Sequence, residues 1–138
     1  MKLYIAAPFT EWPTAASLRA YLRSHQIAVV SSWIDEAAAL GGVEAAADLE
    51  PGEWDAIGAR NDADILDSHA VIALTFADKG TEQFEECGFA RRSGIPVVYT
   101  GSRVPHLSVR RACNGFAATW EEALEQVLML ARAERRTA

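Results

Sequence analysis

The sequence predicts an α/β protein with a doubly wound, five-stranded parallel sheet, and three observations lead to this fold class. Short apolar runs alternate along the chain with longer segments of helical periodicity, which is the order expected of a sheet covered by helices on both faces. The apolar runs are continuous, as is typical of strands that are buried on both faces. Capping residues and glycines stand between the runs, where helices begin and end.

The first half of the chain predicts two strands with a helix between them. Residues 2–7 form an apolar run that Pro8 ends. A helix is expected over residues 14–24, with its first residue as the N-cap. Residues 27–30 are a second continuous run, and residues 31–34 are expected to lead away from its end. The next segment, 35–52, fits two interpretations: short helical turns at residues 37–40 and 44–49 broken by Gly41–Gly42, or a mobile loop over a site.

A clearer helix is predicted over residues 51–67. Its apolar stripe has helical spacing and consists of Trp54, Ile57, Gly58, Asn61, Ile65 and Leu66. Asp62 lies one turn from both Gly58 and Leu66, so we expect its carboxylate to border the buried face, whereas Asp64 and Asp67 can point to solvent. A carboxylate beside the core costs free energy unless a partner satisfies it. Asp62 is therefore either an ordinary paired or half-exposed acid or a functional one.

The second half of the chain completes the alternation. Three further strands are predicted at residues 70–76, 95–100 and 116–118. A helix is expected over residues 81–93, and Thr119 with Glu122 forms a capping box that opens the last helix. Right-handed crossovers leave few topologies, and we predict the flavodoxin-like strand order 2-1-3-4-5. Ligands of such sheets bind beyond the carboxyl ends of the strands, between strands one and three.

Length and composition narrow the classes of function. The 138 residues suit one domain, 1–138, and the net charge of −6 argues against a nucleic-acid polymer as partner. We expect no membrane span, since the apolar runs are short, and a cytoplasmic protein, since no signal peptide is evident. Two cysteines make no disulfide framework, and no His/Cys spacing resembles a metal site. Phosphate-binding loops of the P-loop or dinucleotide kind are also missing, so no cofactor is expected.

Acidic residues crowd the start of the helix at residues 81–93. Glu82 suits a helix N-terminus, where a carboxylate interacts favourably with the helix dipole. Glu86 is already in the second turn and is explained less well by that effect. Small neighbours at Gly88 and Ala90 leave room for a ligand, or simply allow close packing of the helix. The pattern alone favours neither interpretation.

Three segments, in order and spaced along one parallel-sheet pattern, carry a family resemblance. They are Tyr-Ile-Ala-Ala-Pro-Phe at residues 4–9, Asn61–Asp62 before the third strand, and Glu-Cys-Gly-Phe-Ala at residues 86–90 followed by Gly-Ile-Pro-Val at 94–97. Over roughly residues 1–100, the chain resembles the nucleoside 2-deoxyribosyltransferase family and its relatives, the nucleoside and nucleotide N-glycosidases. Beyond residue 100 the resemblance fades.

The resemblance implies a chemistry and assigns residues to it. Glu86 falls on the nucleophilic glutamate, with Glu85 as a rival, and Tyr4 falls near a tyrosine that orients the nucleophile. Asp62 falls on an acid that assists at the nucleobase or the sugar. A carboxylate that traps the sugar at C1′ parallels the retaining glycosidases. The implied activity is cleavage of an N-glycosidic bond, with transfer of the (deoxy)ribosyl group to another base or to water.

The predicted ligands are a nucleoside or nucleotide and a free nucleobase, and the resemblance implies a homo-oligomer, dimeric or larger. The predicted substrate-binding residues lie on the loops at the sheet edge and on nearby elements: Ala7, Pro8, Phe9, Trp33, Asn61, Gly80, Thr81 and Glu82. Two alternatives stay open. Gly80–Thr81 is faintly similar to an element of phosphoribohydrolases of the lysine-decarboxylase-like type, although their richer glycine run is missing here. A non-catalytic nucleotide-binding or interaction module on the same fold is the other alternative.

Overall fold

The computed structural model describes residues 1–41, 48–76, 82–101 and 114–137, and the side chains of Glu82 and Arg135 lie outside this description. Five parallel strands form one sheet: β1 (Lys2–Ala6), β2 (Ala28–Val29), β3 (Ala70–Thr75), β4 (Val97–Gly101) and β5 (Gly115–Ala117). Their order is β2-β1-β3-β4-β5, which confirms the predicted fold class and topology.

The centre of the sheet explains the continuous apolar runs. In register, Leu3 of β1 lies opposite both Val29 of β2 and Ala70 of β3. Every residue of β3 is buried, and so are the four residues of β1 that follow Lys2. Strands that are covered on both faces have no solvent side on which polar residues would be favoured.

Helices cover both faces of this sheet. In chain order they are α1 (Trp12–Ser24), α2 (Trp33–Leu40), α3 (Pro51–Asp67), α4 (Glu82–Arg92) and α5 (Trp120–Thr137), with a 3-10 turn over Phe9–Glu11 before α1. Helices α1 and α5 share one face, where Tyr21 and Trp120 meet with ring centroids 5.8 Å apart. Helices α3 and α4 pack against each other and against β1 on the other face. None of the described helices combines the length and the hydropathy that a membrane span requires.

The starts of two helices, α1 and α2, differ by more than one residue from those predicted. Helix α1 begins at Trp12 rather than at Thr14, because Pro13 suits the first helical turn, where its missing N–H is no loss. Residues 33 and 34 do not lead away from β2 but begin α2, which Gly41 ends in the left-handed conformation with a φ of 72°. The helical interpretation of residues 37–40 is thus confirmed. Most of the second expected turn, at 44–49, lies outside the described residues.

Capping interactions confirm two predicted helix starts. Glu50 and Glu53 form a reciprocal capping box at the beginning of α3, whose bounds agree with the prediction. At α5, the Thr119 hydroxyl oxygen accepts a hydrogen bond of 3.2 Å from the Glu122 backbone N–H. The Glu122 carboxylate reaches back to the backbone N–H of Ala118, one residue before the expected partner.

Candidate active site

Three residues that are far apart in sequence meet around one carboxylate. Glu86 of α4 accepts a hydrogen bond of 3.0 Å on Oε2 from the hydroxyl of Tyr4 in β1. Its other oxygen, Oε1, accepts a longer hydrogen bond of 3.4 Å from the side-chain Nδ2 of Asn61 in α3. The structure therefore brings together Tyr4, Asn61 and Glu86, all of which the sequence analysis selected.

Helix periodicity explains why Asn61 and Glu86 face each other. Asn61 lies four residues from both Ile57 and Ile65, the buried residues of α3. Glu86 follows the buried Gln83 by one turn and precedes the buried Ala90 by one turn. Since α3 and α4 pack together above β1, these two half-buried side chains meet over Tyr4.

The Tyr4 phenol is held in its neutral form. Burial raises its pKa well above the usual value of a tyrosine, and the negative charge and hydrogen bond of Glu86 raise it further. Tyr4 therefore remains a hydrogen-bond donor over the whole neutral range. A carboxylate that accepts from fixed donors keeps one orientation, which is a requirement for a nucleophile that must attack along one direction.

The rival glutamate differs from Glu86 in its surroundings. Glu85 is exposed to solvent, whereas Glu86 is half-buried and bonded to both Tyr4 and Asn61. The geometry therefore favours Glu86. Gly80 and Thr81 lie outside the described residues, and Glu82 is described only as the first residue of α4.

The expected orientation of the two aspartates of α3 was wrong. Asp62 is exposed, and Asp64 is half-buried. Gly58 and Leu66, one turn to either side of Asp62, are themselves exposed, so their row of the helix faces solvent. Asp64 instead stands seven residues after the buried Ile57, two helical turns along the same face. Within the described part of the chain, Asp62 has no hydrogen bond to Glu86 or Tyr4.

Sequence reasoning missed the role of Asp64 in the fold. Its Oδ2 accepts hydrogen bonds from the backbone N–H of Ser32, at 2.9 Å, and from the Ser32 hydroxyl, at 2.5 Å. Ser32 is the N-cap residue of α2, so Asp64 ties the start of α2 to α3. No local signal pointed to this contact, because the start of α2 at Trp33 was itself not predicted.

Gln83 is a second residue that the sequence analysis did not select. Its side chain is almost completely buried in the first turn of α4, and its Nε2 donates a hydrogen bond of 3.1 Å to the carbonyl oxygen of Leu74. This contact fixes the beginning of α4 to the carboxyl end of β3. Glu86, one turn further along α4, is positioned by the same anchor.

Aromatic side chains form a group beside the first loop. The ring of Phe9 lies 6.2 Å, centroid to centroid, from Trp33 and equally far from Trp54. Trp33 is buried, and its indole N–H donates to the carbonyl oxygen of Ile5, so it mainly supports the group. Trp54 is 39 % exposed and leaves ring surface accessible to a planar ligand. Ala7 and Pro8, also predicted to bind substrate, are buried.

The described residues contain no group of three His, Cys, Asp or Glu side chains that could hold a metal ion. The chemistry that the arrangement itself offers is that of an oriented carboxylate between two neutral donors. Such a group can attack an electrophilic carbon or stabilise a developing positive charge.

Two solved enzymes share this fold. A 2-deoxyribosyltransferase from Bacillus psychrosaccharolyticus matches with a TM-score of 0.66 at 19 % identity, over 89 % of this chain and 90 % of that one. A CMP N-glycosidase from Clostridium botulinum matches with a TM-score of 0.59 at 14 % identity, over 94 % and 99 %. No family model and no curated protein sequence matches the chain. At these identities the likeness shows the fold, and a fold alone does not fix a function.

Proposed function

We propose that the protein is an enzyme that cleaves the N-glycosidic bond of a nucleoside or nucleotide, with Glu86 as the nucleophile. The observation that carries the proposal is the pair of hydrogen bonds that orient Glu86, from Tyr4 and from Asn61. The motifs of residues 4–9 and 86–90 support it, because they resemble those of enzymes with this chemistry. Of the two structurally similar enzymes, one is named a CMP N-glycosidase and the other a 2-deoxyribosyltransferase suited to nucleoside synthesis.

The reaction has two steps that balance at C1′ of the sugar. In the first, the C1′–N bond breaks as a Glu86 oxygen forms an ester bond to C1′, and the base leaves with the electron pair and takes up a proton. In the second, an acceptor attacks C1′ and gives up a proton to solvent, the ester bond to C1′ breaks, and Glu86 is released as the carboxylate. The acceptor is water in a hydrolase and a second nucleobase in a transferase. Two displacements retain the configuration at C1′, as in the retaining glycosidases.

Tyr4 and Asn61 act on the nucleophile by holding it. Because the Tyr4 phenol stays neutral, its hydroxyl keeps donating a hydrogen bond to the Glu86 carboxylate. The aromatic group of Phe9 and Trp54 offers a surface on which the base can stack.

The assignment of Asp62 as the acid that protonates the departing base stays a prediction, since its exposed carboxylate has no described contact with Glu86 or Tyr4. An acid–base group in that role contributes roughly 100-fold or more to the rate. A comparable loss in Asp62→Asn would support the assignment, and an unchanged rate would remove Asp62 from the mechanism.

The test is chromatography of the purified protein with deoxynucleosides, ribonucleosides and their monophosphates, each with and without an added free base. Release of base without an acceptor identifies a hydrolase, and a new nucleoside that forms only with the acceptor identifies a transferase. Turnover of none of these compounds would contradict the proposal.

Two outcomes of the same experiment would favour the alternatives. A strict requirement for a 5′-monophosphate would favour the phosphoribohydrolase interpretation. Tight binding of a nucleotide without any turnover, even in the presence of an acceptor base, would favour the non-catalytic binding module.

A further inference from the structure

The two ends of the Asn61 amide have different surroundings. Nδ2 donates to Oε1 of Glu86, at 3.4 Å. Oδ1 is buried from solvent and has no hydrogen-bond partner among the described residues. The opposite orientation of the amide would place two oxygens against each other, so the contact with Glu86 fixes which end is which.

A buried acceptor without a donor is unfavourable. Such a group loses its hydrogen bonds to water without replacement, and native structures contain few of them. Asn61 occupies a half-buried position on the inner row of α3, where an apolar residue would pack without this cost. The arrangement is explained if a bound ligand supplies the missing donor.

The position of Asn61 restricts what that donor can be. Glu86 must approach C1′ from the face opposite the leaving base, because the attack and the departure lie on one line. Groups that touch Glu86 therefore face the sugar and not the base. In a ribofuranosyl nucleoside the hydroxyls of C2′ and C3′ both point to this same face. The oxygen and nitrogen of one amide are about 2 Å apart, so Oδ1 lies within reach of the hydroxyls on C2′ and C3′ when Glu86 lies beneath C1′.

We infer that Asn61 is a sugar-recognition residue whose Oδ1 accepts a hydrogen bond from the 2′- or 3′-hydroxyl of the substrate. The inference rests on the proposed function and names the part of the substrate that Asn61 binds. A site that is built to bind a hydroxyl discriminates strongly against the analogue that lacks it, because its polar group is then left unpaired.

The experiment compares a ribonucleoside with its 2′-deoxy and 3′-deoxy analogues, using the base that the wild type releases fastest. The wild type is expected to favour the sugar that bears the recognised hydroxyl by about 10- to 100-fold in kcat/KM. In Asn61→Leu this ratio should fall to about 3-fold or less. The ratio is decisive because the substitution also removes the hydrogen bond to Glu86. That loss slows the reaction of all three substrates alike, and its effect cancels when their kcat/KM values are divided. Asn61→Ala gives the same comparison if the leucine variant does not fold.

Equilibrium binding of the three nucleosides to Glu86→Gln proteins, with and without the Asn61 substitution, gives the corresponding ratio of affinities without turnover. If the Asn61 substitution abolishes the preference for the ribonucleoside over its 2′-deoxy analogue, Oδ1 binds the 2′-hydroxyl. If it abolishes the preference over the 3′-deoxy analogue, Oδ1 binds the 3′-hydroxyl. A preference that survives the substitution, or a wild type that treats the three sugars alike, would overturn the inference. A wild type that binds with the expected preference but releases no base would contradict the proposed function and leave the recognition role supported.

Discussion

Tyr4 shows how one side chain links the sheet to the proposed chemistry. It is fully buried in β1, and its hydroxyl donates to Glu86. Removal of the hydroxyl in Tyr4→Phe takes away a hydrogen bond to a charged group, which is typically worth about 1.5–3 kcal/mol. We expect a fall of about 10- to 100-fold in the rate of base release, measured by chromatography with substrate in excess. A rate equal to that of the wild type would contradict the positioning role.

The raised pKa of Tyr4 also makes a prediction about stability. A tyrosine in the unfolded chain ionises near pH 10, whereas the folded Tyr4 keeps its proton to higher pH. The unfolded state therefore loses its proton first, so this contribution to stability is fully present below pH 10 and is lost as the pH rises further.

Urea unfolding at pH 8 and at about pH 10.5 tests this sign. The wild type should lose more of its unfolding free energy between the two values than Tyr4→Phe does. The other two tyrosines are present in both proteins and do not affect the difference. An equal loss in both proteins would show that Tyr4 does not resist ionisation in the fold.

At the level of single elements, α2 and α3 are joined by Asp64. Both of its hydrogen bonds go to Ser32, the N-cap of α2. Asp64→Ala leaves these donors without their acceptor, and we expect a loss of about 1.5–3 kcal/mol in the free energy of unfolding. The matched control is Asp62→Ala, two residues away on the exposed side of the same helix, which should change stability by less than about 0.5 kcal/mol. Equal effects in urea unfolding would contradict the orientation described for α3.

The same helix shows how far sequence patterns reach. Periodicity and terminal residues were sufficient to define α3, because Pro51 and Asp67 mark its observed ends. They were insufficient to predict the rotation of α3 about its axis, that is, which of its residues face the core. The predicted stripe included Leu66, which is 59 % exposed, and so its centre was displaced toward Asp62. Neighbouring residues differ by about 100° around a helix, so a small displacement of the predicted stripe is enough to exchange the faces of two aspartates.

Only part of the candidate site was predictable, because motifs select single residues but do not specify contacts between elements. Motif resemblance selected Glu86 and Tyr4, and the strand order places β1, which carries Tyr4, beside β3, which α4 with Glu86 follows in the chain. The hydrogen bonds of Asp64 and Gln83 to other elements depend on how those elements approach each other, which no local pattern encodes. The start of α2 at Trp33 was missed because residues 31–34 follow an apolar run directly and were expected to lead away from its end.

At the level of the whole molecule, the alternation of strands and helices determined the architecture. The predicted order 2-1-3-4-5 is the observed one, since each crossover must be right-handed and each helix must cover a face. The assembly is a separate matter, and the homo-oligomer implied by the resemblance stays a prediction. Light scattering after size-exclusion chromatography should give a mass that is a multiple of the 15.0 kDa chain. A mass of one chain would contradict it.

The most direct test of the central claim is the rate of base release by wild type, Glu86→Gln and Glu85→Gln, measured side by side on the best substrate of the panel. The two variants remove the same charge from adjacent residues, one bonded to Tyr4 and one exposed. We predict a loss on the order of 1,000-fold or more for Glu86→Gln and a change of less than about 3-fold for Glu85→Gln. Undiminished activity in Glu86→Gln, with the loss in Glu85→Gln or in neither, would contradict the account.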